Sequence, residues 1–401
     1  MRSYLGLLEH ILDRGTECFN QRTGQTTLRV IGPQLELWVP RFFPLVTTRY
    51  INFGNVISEL DWFLYGGTNI HDLHEADNHI WDKWALTNQD VTWHRSRDKY
   101  GNKIHVGDCG PIYGAQWTRW KTSRNTYINQ ITNLLSSLSN DPYSRRHIVS
   151  AWNPEYLPDE RKTPQENVCD GNQALAPCHT LFQVFVEPAA EWVKIVNAGP
   201  EFYSALLQTY PYLIPLHHQI LDVAFKKKFG FIRRWFNRGF DPDSVYELFD
   251  QQVFCEDVFT QLPKSTRSAF SMVLNTAFEK DGKKYQKPPT NMMHLKLYAR
   301  SQDVPVGTVF NIASYTLLLY ILANRLGMIP GKYIHTMGDA HIYTNQIPQV
   351  EEQLSREPFL PPRLVIKDGE ESACKSFLLK PISLVLEEYN HHPAMKYKVA
   401  L

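Results

Sequence analysis

The sequence predicts an α+β fold in which a mixed β-sheet packs against long helices. Short apolar runs that partly alternate with polar residues, such as 181–187 and 293–299, are typical of strands. Longer stretches with apolar residues three or four positions apart, such as 53–66 and 309–327, are typical of helices. A chain of 401 residues can bury a large core, and we expect one domain over residues 1–401.

The remaining elements follow from the same two patterns. In chain order we expect a helix near 3–14, strands around 27–38, helices at 53–66 and 124–140, strands at 147–152, 181–187 and 293–299, a helix at 309–327 and a strand at 382–386. The first helix carries acidic residues, which argues against a secretory signal peptide. The polar segment 154–173 contains three prolines and predicts a loop.

Two further segments are interpreted as insertions. Residues 88–108 are polar and charged and predict an inserted loop, while 199–290 has helical spacing and predicts an inserted, mostly helical block. Within the second insertion, 225–238 interleaves basic and aromatic residues. Such a segment could bind nucleic acid or a replication partner, with an amphipathic surface helix as the alternative.

The composition narrows the classes of protein. The 42 lysines and arginines nearly balance the 41 aspartates and glutamates, so no overall charge points to nucleic acid or an anionic membrane. We expect no membrane span, because no run is apolar enough over sufficient length. The six cysteines form no CxxC pair, which favours reduced thiols in a cytoplasmic protein.

Three histidines that lie close in sequence raise the question of a metal. They are His71, His74 and His79. No carboxylate or cysteine pattern in the sequence completes a metal site around them, so we expect none.

One cysteine stands out as a candidate nucleophile. Cys178 lies between Pro177 and His179, directly before the predicted strand at 181–187. A cysteine beside a histidine can act as a thiolate nucleophile, although an isolated cysteine is more often a small buried apolar residue. Arginines at 22, 145, 146 and 300 are suited to a phosphate dianion, but each one alone is typical of a solvated surface charge.

Taken together with Cys178, several ordered motifs resemble the thymidylate synthase family. They are residues 110–117, 145–154, 176–179, 310–315, 338–343 and 389–396. The resemblance covers most of the chain except 88–108 and 199–290. It implies the thymidylate synthase-like fold, with a homodimer formed through the sheet.

The resemblance also implies a role for each matching residue. Cys178 would add to C6 of a pyrimidine nucleotide, and Glu59 would order the neighbouring water and proton network, with Tyr113 and His179 as further catalytic groups. The implied nucleotide-binding residues are Arg22, Arg145, Arg146, Arg300, Ser301, Asn311, His341 and Tyr343, with Arg145 and Arg146 reaching the partner subunit's phosphate. The implied folate-binding residues are Asp303, Trp81, Trp84 and Gly307.

The implied substrates are dUMP and 5,10-methylenetetrahydrofolate, a reduced folate, with no metal. Asn311 would read the base, since a carboxamide can both donate to O4 and accept from N3–H of uracil. Family members that act on deoxycytidylate carry aspartate at this position. A complex with other enzymes of replication or nucleotide metabolism is a further expectation.

Three departures from the family bear on the product. Tyr50 stands where a second basic residue near the C-terminal lid is usual, Ala299 stands where glutamine is usual, and 199–290 is extra. Because lid closure controls water entry, these departures favour a phage-type deoxyuridylate hydroxymethylase, which makes 5-hydroxymethyl-dUMP for modified DNA. A thymidylate synthase that carries insertions is the alternative.

Overall fold

The computed structural model describes residues 2–21, 24–39, 42–92, 96–189, 289–368 and 374–398, together with 193, 264, 265 and 268. The chain divides into two compact units. The first comprises Met1–Val186, Met293–Leu326 and Pro330–Leu401, and the second comprises Glu187–Met292 and Gly327–Ile329. One domain over 1–401 stays a prediction, since the second unit is described at few residues.

The described residues form these helices and strands in chain order. They are α1 (Arg2–Arg14), β1 (Thr16–Asn20), β2 (Gln25–Ile31), β3 (Gln34–Trp38), α2 (Phe53–Tyr65), α3 (His71–His74), α4 (Tyr113–Thr118), β4 (Trp120–Lys121), β5 (Tyr127–Ile128), α5 (Gln130–Asn140), β6 (Ile148–Ser150), α6 (Pro164–Cys169), β7 (His179–Pro188), β8 (Asn291–Asp303), α7 (Val309–Arg325), β9 (Ile329–Tyr343), α8 (Ile347–Leu354), β10 (Arg363–Asp368) and β11 (Ile382–Glu387).

The largest sheet has the strand order β1-β2-β9-β8-β7-β6, and β3 also pairs with β9. Strands β2 and β3 lie one after the other along β9, with Thr27 opposite Tyr343 and Gln34 opposite Thr336. Gly32, at a φ of 75°, makes the turn between them, a conformation that glycine adopts without strain. The residues of the candidate site lie at the start of β7 and near the ends of β8 and β9.

Helix α7 lies at the centre of the core. Nearly all its side chains are buried, from Val309 to Ala323. Among the described residues, Val304–Arg325 alone has the length and apolarity of a membrane span, contrary to our expectation that no run would qualify, but 78 % of its apolar window is buried in protein. A buried core helix passes the same test, so this run indicates no span.

The structure corrects two of the predicted elements and adds one strand that was not predicted. The helix expected at 124–140 is confined to α5, because Asn129 caps it by accepting a hydrogen bond from Thr132 N. The loop expected at 154–173 contains α6, which begins with a capping box between Thr163 and Glu166. Strand β9, the longest of those described, was not predicted from the sequence at all.

Other predictions fall on residues outside the described ranges. These include Arg22, the basic and aromatic segment 225–238 and nearly all of the 199–290 block. The loop at 88–108 is described except for 93–95, and only isolated bridges are found in it. Its assignment as an insertion stays a prediction.

Candidate active site

The Cys178 loop enters β7 and is held by groups from two other elements. The Arg300 guanidinium, on β8, donates from Nε to the Pro177 carbonyl and from Nη2 to the Ala176 carbonyl, each at 3.0 Å. The Cys178 N–H donates to Tyr113 Oη at 2.9 Å, and the Cys178 carbonyl accepts from Arg300 N at 2.8 Å. The thiol is partly exposed, so it is both fixed and reachable.

His179 is held in a neutral, packed state beside this thiol. Its ring stacks on Tyr113 with centroids 4.0 Å apart, and its Nδ1 lies 2.6 Å from Tyr315 Oη. Burial, with the nearby His335 adding to it, lowers the pKa of His179 to about 3. Positive charge near the thiol therefore comes from Arg300 and not from this imidazole, which positions Tyr113.

Glu59 and Trp81 form a second part of the site. Glu59 lies on α2, and its carboxylate accepts a hydrogen bond from Trp81 Nε1 at 2.7 Å. Burial raises the pKa of Glu59 to about 7, although this hydrogen bond opposes the shift. A carboxyl group with this pKa can both take up and release a proton near neutral pH. Trp84 packs against Trp81 with ring centroids 5.6 Å apart.

Asn311 and Gln302 form an amide pair at the start of α7. Asn311 Nδ2 donates to Gln302 Oε1 at 3.0 Å, which leaves the Asn311 carbonyl oxygen to accept from a ligand. Gly307 lies against the same amide, and a Cβ at this position would approach Gln302 Nε2 to 2.7 Å. Glycine is therefore required unless Gln302 moves, and the pair is fixed from both sides.

Asp303 ends β8 and is fixed by its own hydrogen bonds. It accepts from Val306 N at 3.2 Å and from Gln346 Nε2 at 3.0 Å. Burial raises the pKa of Asp303 despite these two bonds and the nearby His341. Ser301 lies on the same strand, two positions earlier, and is partly buried.

His341 and Tyr343 lie near the end of β9. His341 Nδ1 lies 2.7 Å from Asp339 Oδ1, and Arg29 donates to the other oxygen of Asp339 at 3.1 Å. Burial of Asp339 would raise its pKa, but the hydrogen bonds from His341 and Arg29 outweigh that effect and lower it. An ionised Asp339 thus orients the ring of His341 so that Nε2 is left for a ligand. The Tyr343 ring lies 5.2 Å from that of His341.

The remaining predicted residues lie apart from this group. Arg145 and Arg146 are exposed in the connection between α5 and β6, and their role at a partner's site stays a prediction. Arg22 lies outside the described residues. Of the five described cysteines, Cys178 is the one that adjoins the residues above.

Known proteins with similar sequences identify the family of this chain. A model of the family "Thymidylate synthase" matches residues 2–198 and 269–401. The chain belongs to the thymidylate synthase family. The thymidylate synthases of Listeria innocua serovar 6a and Listeria monocytogenes serotype 4a are each 30 % identical over 433 residues, which covers the whole of this chain and of each relative. That of Listeria monocytogenes serovar 1/2a is 29 % identical over the same span.

The family's co-substrate, methylenetetrahydrofolate, is compatible with the residues present. Trp81 and Trp84 offer two aromatic faces, and Asp303 offers a carboxylate that is held in place by Gln346. The unmatched stretch 199–268 lies inside the predicted 199–290 insertion. Family members are soluble cytoplasmic enzymes, in agreement with the buried position of α7.

A C-terminal segment, here defined as residues 389–398, lies against the residues that follow β3. Tyr389 Oη donates to the Val46 carbonyl at 2.9 Å and accepts from Ile51 N at 3.0 Å. Tyr397 Oη donates to Gln353 Oε1 at 2.6 Å, and the Lys398 carbonyl accepts from Gln346 Nε2 at 2.8 Å. Gln346 thus contacts both Asp303 and this segment, so the segment is linked directly to the predicted folate side.

Arg49 and Tyr50, which stand where the resemblance predicts two basic residues, both contact this segment. Arg49 is buried, donates to the Pro305 carbonyl and lies 4.7 Å from the centroid of the Tyr397 ring. Tyr50 packs against Tyr389 and His391, with ring centroids 6.3 and 4.8 Å away. The contact at position 50 is therefore aromatic where the family usually has a charge.

Several contributing residues were missed by the sequence analysis. They are Gln302, Tyr315, Asp339 and Gln346, each of which positions a predicted residue. Asp339 had one weak signal: it lies two positions before His341, the spacing that puts two side chains on one face of a strand, but no strand was predicted there. Gln346 had no such signal, since its role depends on β8 and on the C-terminal segment.

Proposed function

We propose that this chain transfers a one-carbon unit from 5,10-methylenetetrahydrofolate to C5 of dUMP. The observation that carries the proposal is the fixed Cys178 loop, in which Arg300 and Tyr113 hold a partly exposed thiol at the start of β7. A thiolate that adds to C6 of uracil makes C5 nucleophilic. The co-substrate supplies the one-carbon unit to that carbon.

The chain's own residues then divide the remaining tasks. Asn311 accepts from N3–H of the base, while Gln302 fixes its orientation. His341, oriented by Asp339, binds the sugar hydroxyl together with Tyr343. Arg300 has used Nε and Nη2 on the Cys178 loop and offers its remaining nitrogen to the phosphate, beside Ser301. Glu59 serves the proton transfers at O4 and C5 through ordered water.

The more specific proposal concerns the fate of the methylene group formed on C5. We propose that this methylene forms by loss of the C5 proton and of tetrahydrofolate. Water then adds to it and the Cys178 sulfur leaves C6, which gives 5-hydroxymethyl-dUMP. The support is the contact of the C-terminal segment: Arg49 is buried under Tyr397 and Tyr50 is uncharged, so neither offers an exposed positive charge. A more weakly held segment would admit water before hydride transfer.

Thymidylate synthase is the second candidate, and two observations favour it. The relatives that match the whole chain carry that name. The C-terminal segment is also held as far as Lys398 by Gln346, as a dry site would require. In this outcome the reduced folate also supplies the hydride, and dTMP is formed with dihydrofolate.

Product analysis separates these outcomes. The purified enzyme is incubated with dUMP and methylenetetrahydrofolate, and the nucleotide is identified by mass spectrometry while dihydrofolate formation is followed by absorbance. A product that contains one more oxygen than dTMP, with no dihydrofolate, supports the hydroxymethylase. The formation of dTMP with an equal amount of dihydrofolate contradicts it and supports the synthase. If neither product is formed, the proposed one-carbon transfer itself is contradicted.

We also propose a homodimer in which Arg145 and Arg146 complete the partner's phosphate site. The support is that both arginines are exposed on the single chain. Inactive Cys178→Ala subunits are mixed with an equal amount of inactive Arg145→Glu/Arg146→Glu subunits. After random exchange about half of the dimers are mixed, and one of the two sites in each mixed dimer is intact, so up to about a quarter of wild-type activity should return. No recovery after proven subunit exchange would mean that these arginines act in their own subunit.

A further inference from the structure

Two histidines and an aspartate form a surface cluster that the proposed reaction does not use. His74 ends α3, His79 lies in the following connection, and Asp82 begins the short turn Asp82–Trp84. One ligand atom from each lies within 4.8 Å of the others. The sequence showed His71 as a neighbour and no completing carboxylate. In the structure Asp82 supplies that carboxylate and His71 is not part of the cluster.

The Asp82 carboxylate lies between the two imidazoles. His74 Nε2 lies 2.7 Å from one of its oxygens, and His79 Nδ1 lies 3.0 Å from the other. The two rings are themselves close, with centroids 4.5 Å apart. Two imidazole nitrogens and a carboxylate oxygen are a donor set that zinc and its neighbours in the first transition series bind well.

A second carboxylate supports the far side of His79. Its Nε2, the nitrogen that faces away from Asp82, lies 3.4 Å from Asp77 Oδ1. A metal-binding histidine usually donates its other ring N–H to a carboxylate or carbonyl, which fixes the ring and its tautomer. Asp77 adopts a φ of 53°, so the backbone turns sharply just before His79. This contact is independent of the three-residue cluster.

We infer that His74, His79 and Asp82 bind one divalent transition-metal ion of the zinc class, with water completing the coordination. Ligands around tetrahedral zinc lie about 3.3 Å apart when the bonds are about 2.0–2.1 Å long, so the contacts above need only small side-chain rotations. The three side chains are 37, 56 and 42 % exposed, and an ion can reach them from solvent.

The ion would link α3 to the segment that carries Trp81. The inner side of that segment is already tied to α2, where Asn78 donates to Ser58 Oγ and Trp81 donates to Glu59. The cluster lies on its outer side, among exposed residues. A bound ion would therefore restrain residues 74–82 from the solvent side and support the position of Trp81.

Zinc binding is tested by calorimetric titration with Zn²⁺ alone. The parent protein carries Cys178→Ala, because a reactive thiolate binds zinc, so the result is independent of the proposed function. One equivalent should bind, and binding should weaken at least about tenfold in His79→Ala and in Asp82→Asn. His71→Ala, a neighbouring histidine outside the cluster, is the matched control and should bind as the parent does.

The contrary results are equally specific. Equal affinity and stoichiometry in parent, His79→Ala and Asp82→Asn would place any bound zinc elsewhere and overturn the inference, as would no binding by the parent. Should His79→Ala fail to fold, Asp82→Asn answers the question alone, because it keeps the size of the side chain. Cobalt substitution adds a check: a sulfur-to-cobalt charge-transfer band would identify a cysteine site and contradict the cluster.

Discussion

The Cys178 loop and the C-terminal segment are held in different ways. The loop is fixed by the Arg300 side chain and by a tyrosine that is 2 % exposed, so its main contacts come from the interior. The segment 389–398 has buried anchors at Gln346 and Gln353, but it is also held by exposed contacts, such as the bond from Arg356 to the Pro393 carbonyl and the exposed ring of Tyr50. One region is thus set by the core, while the other depends in part on contacts that water can replace.

This difference assigns separate tasks to the two regions. In the proposed reaction, the core contacts would determine whether the thiol can add to the base at all. The surface contacts would determine how long the site excludes water afterwards, since a segment held at the surface opens at a low free-energy cost. Changes near Cys178 should therefore remove the reaction, while changes near Tyr50 should alter the ratio of products.

Replacement of Cys178 is the largest expected effect. Cys178→Ala should lower kcat by at least about 10⁴-fold while dUMP binding persists, because only the covalent step is lost. Turnover is measured by product formation and binding by calorimetry. Cys18→Ser, at another free and partly exposed cysteine, is the control and should keep near-normal activity. Appreciable turnover by Cys178→Ala would mean that Cys178 is not the nucleophile.

Replacement of Glu59 tests whether the carboxyl group beside Trp81 is needed for the reaction itself, as the Cys178 loop is expected to be. Glu59→Gln keeps the hydrogen bond from Trp81 but cannot transfer a proton, so kcat should fall about 10²- to 10⁴-fold. Glu351→Gln, an exposed position on α8, is the control. A kcat within twofold of wild type would mean that the proton transfers use another group.

The raised pKa of Glu59 also predicts a stability change with a definite sign. Its pKa is about 7 in the folded protein against 4.5 for the free side chain, so the folded state holds the proton more tightly. Wild-type stability should fall as pH rises from about 4.5 through 7, by at most about 3 kcal/mol from this group. Glu59→Gln should recover that amount at pH 8 and nothing at pH 4, as measured by urea unfolding at equal protein concentration. A constant difference between the two proteins across this range would contradict the assignment.

The two regions also differ in how well the sequence predicted them. Cys178, Glu59, Asn311 and His341 could be named as candidates because each stands in a short segment that resembles the thymidylate synthase family. The contacts that hold them could not, because Arg300 reaches Ala176 and Asp339 meets Arg29 only after distant strands have paired. Helices α1, α2 and α7 followed from their apolar spacing, whereas β9 did not. Its Gly331, Gly338 and polar residues weaken the strand pattern, and only its pairing with β2 and β3 fixes it.

The proposed base contact of Asn311, which Gln302 holds in place, predicts an intermediate effect. Asn311→Asp should weaken dUMP relative to dCMP by about 5- to 150-fold, because a lost hydrogen bond in a buried site typically costs about 1–3 kcal/mol. The carboxylate cannot donate as Asn311 does to Gln302, and it can share a proton with the cytosine edge. The ratio of kcat/KM for the two nucleotides gives the answer. If that ratio is unchanged, Asn311 does not read the base.

The smallest expected effect lies in the C-terminal segment. Tyr50→Arg restores the charge that the family usually carries beside the lid, and an exposed ion pair contributes about 0.2–1 kcal/mol. If water entry controls the product, the methyl fraction should rise by about 1.5- to 5-fold in Tyr50→Arg, measured by mass spectrometry of the nucleotides. Tyr50→Phe keeps the ring beside Tyr389 and His391 without a charge, and should leave the fraction unchanged. An equal rise in both variants would implicate the tyrosine hydroxyl, and no rise in either would mean that water enters by another route. Either result would separate the fate of the methylene group from the charge at position 50.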